Sequence, residues 1–437
     1  VFAELRHSPR AWTGVFALAI VTGLVAFVAG ALLVSSGHYA GSTRQLVANS
    51  GQMLAVFTSI SALVGVTGAS NLTVALQRRT LALWRLAGVR SGAVGLMTLV
   101  QLAMVGSLGA GVGCLAAGPM LGPFFDWVQG IWIGTERIEP HVGASTIFGT
   151  IVAVAGLVVL GGLRGAMSAS RTEPIEALRE PEPPTRTMGR IRWGVAAGVL
   201  AVTLALVWRL EDAPFGEQVN RGMFLIPALA GLVASLGPLV FPTFLRVWTS
   251  ILPPRLAPSW FLARHDARYR LSQSTAVIGP LMVGIALAAA VPTGAATFGA
   301  TADGGDWTID PEPLVLMLGG PLLVAAATAA VTVFMVSGGR ERGAALVQVA
   351  GGGRRTVILA AAWEALIHAA TATMLGVAVT AAGAFALADA VGIAEPQIAW
   401  LPVVLVAIGG AALILLATVI PALTALRVPL SRMLAAV

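Results

Sequence analysis

Glu364 and His368 come nearest, in type and spacing, to residues that do chemistry. Glu364 is the only carboxylate inside an apolar run long enough to cross a bilayer, and His368 lies four residues on, on the same helix face. Ionisable groups inside a membrane are costly to hold and are functional candidates by default. Direct proton coupling is not expected, because no other span offers Glu364 a matching acidic partner. A shift of 263 positions places Gln101 opposite Glu364, so both halves of the chain carry a polar group at that level. The structural alternative is an interhelical hydrogen bond that fixes packing.

Other chemistry is excluded by residue type. All 27 basic residues are arginine. Without lysine there is no Walker A motif and no Schiff base, so this chain binds no ATP in a P-loop. Together with the abundant Ala, Gly and Val, this usage points to a high-GC bacterial genome, as in actinobacteria. The lone Cys114 lies in a span and reads as a packing residue. Five scattered histidines (His7, His38, His141, His265 and His368) have no ligand spacing. No nucleophile–base set is present, so no catalytic residue, metal or bound cofactor is expected.

The rest of the sequence is built for a membrane. Hydrophobic residues make up 57% of it and charged residues 11%, with a mean hydropathy of +0.86; a soluble domain is nearer about 25% charged. Ten spans of bilayer length are predicted: Trp12–Val34, Met53–Val74, Ala93–Leu115, Ser145–Leu163, Trp193–Trp208, Phe224–Trp248, Ala276–Thr293, Leu314–Val336, Val357–Leu387 and Leu401–Leu423. The chain opens on Val1, which implies that residues before it are trimmed; the first span is too long for a signal-peptide core and is expected to be retained. With the N-terminus inside, only Arg44, Arg137, Arg209 and Arg221 of the 27 arginines fall outside. Both termini are therefore predicted to be cytoplasmic. This asymmetry explains the pI of about 11.1 without nucleic-acid binding, and it places arginine near anionic lipid headgroups. The external segments are too short to fold alone. The one from Ala116 to Ala144 carries Phe124, Phe125, Trp127 and Trp132, an aromatic cluster suited to the outer membrane interface. Prolines 227, 238, 242, 280 and 292 are expected to kink their spans.

One short element occurs twice. RRTLALWRLAGVR at 78–90 returns as RERGAALVQVAGGG at 340–353, the same shift of 263 carrying Arg79 onto Arg342, Leu83 onto Leu346 and Gly88 onto Gly351. Each copy is a basic helix ending in glycine just before a span. The first interleaves Leu81, Leu83, Trp84 and Leu86 with Arg78, Arg79 and Arg85; the second offers Leu346 and Val347 with Arg340 and Arg342. Apolar side chains rimmed by basic ones suit docking to a protein cleft. The repeat extends to a basic entry segment before each bundle (Phe2–Arg10, Phe261–Arg268) and to an Arg closely followed by Pro after each (Arg171, Pro174; Arg427, Pro429). Gly109 and Gly113, with Ala372 and Gly376 at the matching positions, give small-xxx-small faces for close helix contact. The Pro-rich segment Thr172–Arg192 marks a boundary. The expected fold is an all-α polytopic membrane protein: two parallel four-helix repeats (1–180 and 256–437) joined by two connector spans (181–255).

This order of elements resembles the FtsX-like permease domain of ABC transporters, the family that includes the MacB-type exporters. ALWRLAGVR at 82–90 is similar to that family's coupling segment, and ALVQVAGGGRR at 345–355 is a weaker match. Two such domains with two spans between them look like the ten-span permeases of the bacitracin-export type. The large external domain of those permeases is missing, since only Gly294–Pro313 stands in its place. The resemblance implies a permease in a bacterial cytoplasmic membrane, driven by two copies of a separate ABC ATPase that binds the ATP and magnesium. It implies export or extraction of an amphipathic substrate: an antimicrobial peptide, a drug or a lipid-like molecule. Family members often carry Glu at the place of Glu364, which leaves both a functional and a packing role open. The alternatives are a transmitter of ATPase motion to an extracytoplasmic partner and an ATP-independent secondary transporter.

Overall fold

Inside a bilayer the backbone has no water to bond, so an apolar run must close its hydrogen bonds within itself. In the computed structural model every regular element among the described residues is a helix. The structure describes residues 9–131, 137–171, 190–211, 218, 221–253, 257–269, 271–300, 311–337 and 347–425. The helices are α1 (Pro9–Ser36), α2 (Gly41–Leu76), α3 (Arg78–Leu86), α4 (Ser91–Ile131), α5 (Ala144–Arg171), α6 (Arg190–Glu211), α7 (Leu225–Ser235), α8 (Gly237–Ile251), α9 (Pro258–Tyr269), α10 (Leu271–Gly299), α11 (Pro311–Ser337), α12 (Arg354–Val391) and α13 (Trp400–Ala425). Among the described residues nine of them are long and apolar enough to cross a membrane, and the protein is a multi-pass membrane protein. The expected linker lies outside the described residues from 172 to 189, as do the entry segment before Pro9 and the chain after Ala425.

Two expectations are corrected. The sixth predicted span is not one straight helix: α7 and α8, which pass together as one membrane span, meet at Leu236 with a bend of 83°, beside Pro238 where a kink is expected. Pro238 supplies no amide hydrogen to carry the α7 ladder onward and suits the first turn of a new helix instead. Pro227, in the first turn of α7, is accommodated for the same reason, while Pro242, Pro280 and Pro292 stand inside α8 and α10. The second correction is the external segment after Leu115. α4 runs on to Ile131 through Pro119 and Pro123, because Leu121, Phe125 and Val128 recur at helical spacing and are buried. The aromatic cluster is thus helical as far as Trp127, with Phe124 against Phe125 and Trp127.

The chain divides into two units: residues 1–181 with 307–328, and 182–306 with 329–437. In the first, α1 packs on α2, α4 and α5. The α1–α4 contact is the tightest. A side chain at Gly23 would meet the Ala110 backbone, one at Gly109 would meet Ala19, and one at Gly113 would meet the backbone of Ile20 and Leu24. The stretch of α11 up to Thr328 belongs to this unit: Ser61 Oγ donates to the Pro321 carbonyl at 3.0 Å, and Gly65 lies against Thr328. At the far end of the unit Ser35, Tyr39 and Gln129 accept the amides of His141, Glu139 and Ile138, which pins the segment leading into α5.

In the second unit α10 is apolar on all sides and buried from Ile278 to Val291, as such a helix must be. It packs against α12, α13, α7 and α8. Leu210, Leu225, Phe298 and Leu387 close one end. The break after α7 is secured by Arg192, whose Nε and Nη2 donate to the Ser235 and Ala234 carbonyls at 2.5 and 3.0 Å. Those carbonyls belong to the last turn of α7, where helical partners run out. Replacing Arg192 by Ala is expected to cost roughly 2 kcal/mol, since both bonds are charge-assisted, read as a lowered melting temperature of the detergent-solubilised protein.

Candidate functional site

The residues at 78–90 form a helix with two apolar sides. At about 100° per residue, Leu81 and Trp84 share one side of α3, and Leu83 and Leu86 share the other. Leu81 is 2% exposed and packs with Val74 of α2 and Val94 of α4, with Trp84 laid against that group. Burial of such a side chain stabilises by about 1.5–3 kcal/mol, which holds the nine-residue α3 on the body of the first unit. Leu83 and Leu86 are 53% and 58% exposed, and Val89 beyond the helix is exposed with them. The expected docking set is therefore divided. Leu81 belongs to the seat of α3, and Trp84 and Arg85 are partly buried; the free apolar side is Leu83, Leu86 and Val89. The side chains of Arg78 and Arg79 lie outside the described residues, as do Arg340, Arg342 and Leu346 entirely.

Both copies end in the same way. Gly88 has φ +91° and Gly351 has φ +89°, a left-handed conformation that glycine adopts without a Cβ penalty. The Gly88 amide donates to the Arg85 carbonyl at 3.0 Å and the Val89 amide to Trp84 at 3.1 Å. In the second copy Gly351 donates to Gln348 at 3.0 Å and Gly352 to Val347 at 2.8 Å. This pair of bonds is the Schellman helix stop. The same positions are used 263 residues apart, and the following helices begin at Ser91 and Arg354 with that same separation. The packing beneath the turn corresponds too: Trp84 lies against the cluster that holds Val94, and Val347 lies against Val357. Val349, the counterpart of Leu86, is exposed as Leu86 is. Val89, Val94, Val349 and Val357 were missed by reading the motif alone; applying the shift to the whole segment finds the last three.

The intramembrane polar residues are separated by the structure. Gln101 is buried in α4 of the first unit. Glu364 is partly buried and His368 fully so, on α12 of the second. His368 Nε2 lies 3.0 Å from Ser274 Oγ, which donates in turn to the Ala267 carbonyl at 2.9 Å. The contact ties α12 to α10. Ala372 is fully buried and a side chain at Gly376 would meet Ile285, so this same pair of helices approaches closely, as α4 approaches α1 at Gly109 and Gly113. Among the described residues no group of three or more His, Cys, Asp or Glu is arranged to hold a metal ion.

No protein-family model matches the chain, and no curated protein matches it.

Proposed function

We propose that this chain is the permease subunit of an ATP-driven exporter, in which two separate ABC ATPase subunits dock on α3 and on its counterpart ending at Gly351. The observation that carries the reading is the duplicated helix stop: the same left-handed glycine and the same two hydrogen bonds at one fixed separation, each directly ahead of a long apolar helix. A lone basic segment is explained by membrane anchoring. Two segments with matching seats and matching exposed apolar residues call for matching partners. A further sign of duplication is that Gly65 lies against Thr328, its own counterpart under the same shift.

In this reading ATP and magnesium are held by the ATPases. Their closure pushes on Leu83, Leu86 and Val349. Leu81 and Trp84 rest on Val74 and Val94, so a push on α3 reaches α2 and α4 together. The FtsX-like resemblance, with parallel repeats and both termini cytoplasmic, supplies the direction of coupling. The substrate is an amphipathic molecule taken from the membrane: a peptide, a drug or a lipid-like compound.

Sidedness is tested with single cysteines. In a Cys114→Ala background, Leu83→Cys and Val349→Cys, made one at a time, are each expected to react with an impermeant maleimide in inverted vesicles and not in intact cells. Labelling of the two from opposite sides would rule out a parallel repeat, and with it paired docking.

A further inference from the structure

At the joint between α8 and α9, in the second unit, three arginines gather without an acid. α9 turns Trp260, Ala263, Arg264 and Ala267 inward. An arginine on such a stripe is unexpected, because a buried charge costs heavily unless paired. Arg264 is only 9% exposed. Its Nη1 donates to the Leu252 carbonyl, just past α8, at 3.4 Å, and its Nε has no hydrogen-bond partner. One turn on, Arg268 donates through Nε and Nη2 to Thr249 Oγ1 at 3.1 and 2.8 Å, and through Nη2 to the Arg246 carbonyl at 2.8 Å. Burial lowers the pKa of Arg268 from its ordinary value, and the nearby charges of Arg264 and Arg246 lower it further. Among the described residues no carboxylate pairs with any of the three, and Asp266 stands on the exposed side of α9.

Helix capping explains part of this arrangement. The C-terminal end of α8 is negative, and cationic side chains there are favourable. That end amounts to roughly half a charge, whereas three guanidinium groups carry a full charge each at any working pH. Capping also leaves the Arg264 Nε unused, and Arg246 contributes its carbonyl while its exposed guanidinium makes no hydrogen bond within the protein among the described residues. An anion with several oxygen acceptors complements such a cluster, and phosphate oxygens match the guanidinium fork. The joint stands immediately before α10, a helix that crosses the membrane, so it lies at the depth of lipid headgroups. The arginine distribution puts this end on the cytoplasmic side.

We propose that Arg246, Arg264 and Arg268 form a binding site for the phosphate of an anionic phospholipid headgroup. The site is independent of ATPase docking and stands whether or not α3 has a partner.

The test is the melting temperature of the detergent-purified full chain, titrated with phosphatidylglycerol, phosphatidylcholine or inorganic phosphate. Phosphatidylglycerol is expected to raise it and phosphatidylcholine to leave it unchanged. Arg246→Gln, whose side chain holds nothing in the fold, is expected to melt as the parent without lipid and to need about fivefold more phosphatidylglycerol for the same rise. Arg264→Gln is expected to abolish the rise; if that variant does not fold, Arg246→Gln decides alone. Equal responses to the two lipids, or an unchanged phosphatidylglycerol midpoint in Arg246→Gln, would overturn the site. A full rise with inorganic phosphate, and nothing added by phosphatidylglycerol, would overturn the lipid as its source.

Discussion

The double variant Leu83→Asp, Leu86→Asp is expected to purify as a folded membrane protein that retains at most one ABC ATPase. Both side chains are more than half exposed and lie on the side of α3 that faces away from Val74 and Val94. Charge there leaves the Leu81–Val74–Val94 cluster intact, so the melting temperature should stay near that of the parent. Under the docking proposal the same two positions are expected in the apolar centre of an interface. Truncating a central anchor there costs about 2 kcal/mol or more, which is already more than a tenfold loss of affinity. Two buried carboxylates should take binding at α3 below detection. Leu81 and Trp84 are unsuited to this experiment, because they seat α3 on the body and their loss would loosen the helix itself. Full ATPase retention by the double variant would remove α3 from the interface.

Gly113→Val is expected to abolish folded protein, while Gly118→Val on the same helix is expected to leave it intact. A Cβ at 113 would be driven into the backbone of Ile20 and Leu24, which cannot rotate aside. The helices must then separate along a contact that also includes Gly23 and Gly109. Overpacking of this kind costs about 1–3 kcal/mol where side chains can yield, and more where only backbone is available. Gly118 has nothing within reach of an added Cβ. In the second unit, Gly376→Val meets chiefly the Ile285 side chain, so a milder loss is expected. Recovery of monodisperse protein after solubilisation reads all three. Equal recovery of Gly113→Val and Gly118→Val would contradict the close α1–α4 approach.

What the sequence made legible was periodic or glycine-marked. Long apolar runs locate the membrane-crossing helices, because burial in lipid leaves a helix no alternative. Gly88 and Gly351 announce two helix stops, and the left-handed turn is found at both. Features set by tertiary contact were not legible. The helix through Pro119 and Pro123 persists because Leu121, Phe125 and Val128 are buried, which overrides the local signal of the prolines. Pro238 marks the place of the break at Leu236, but the bonds from Arg192 that secure it come from more than 40 residues away and do not show in the sequence. Leu81 and Leu83 are equally apolar in sequence, and only the positions of Val74 and Val94 decide which is the seat and which the free surface. The arginines at the α8–α9 joint read as ordinary positive-inside residues until Arg264 is found buried.

The native mass of the detergent-purified complex, after co-expression with an ABC ATPase from the same genome, tests paired docking most directly. One permease carrying two ATPases is the expected composition, falling to at most one in the Leu83→Asp, Leu86→Asp variant. A chain that keeps its own mass alone, with substrate transport that proceeds without any ATPase, would refute the permease reading and make the protein a secondary transporter.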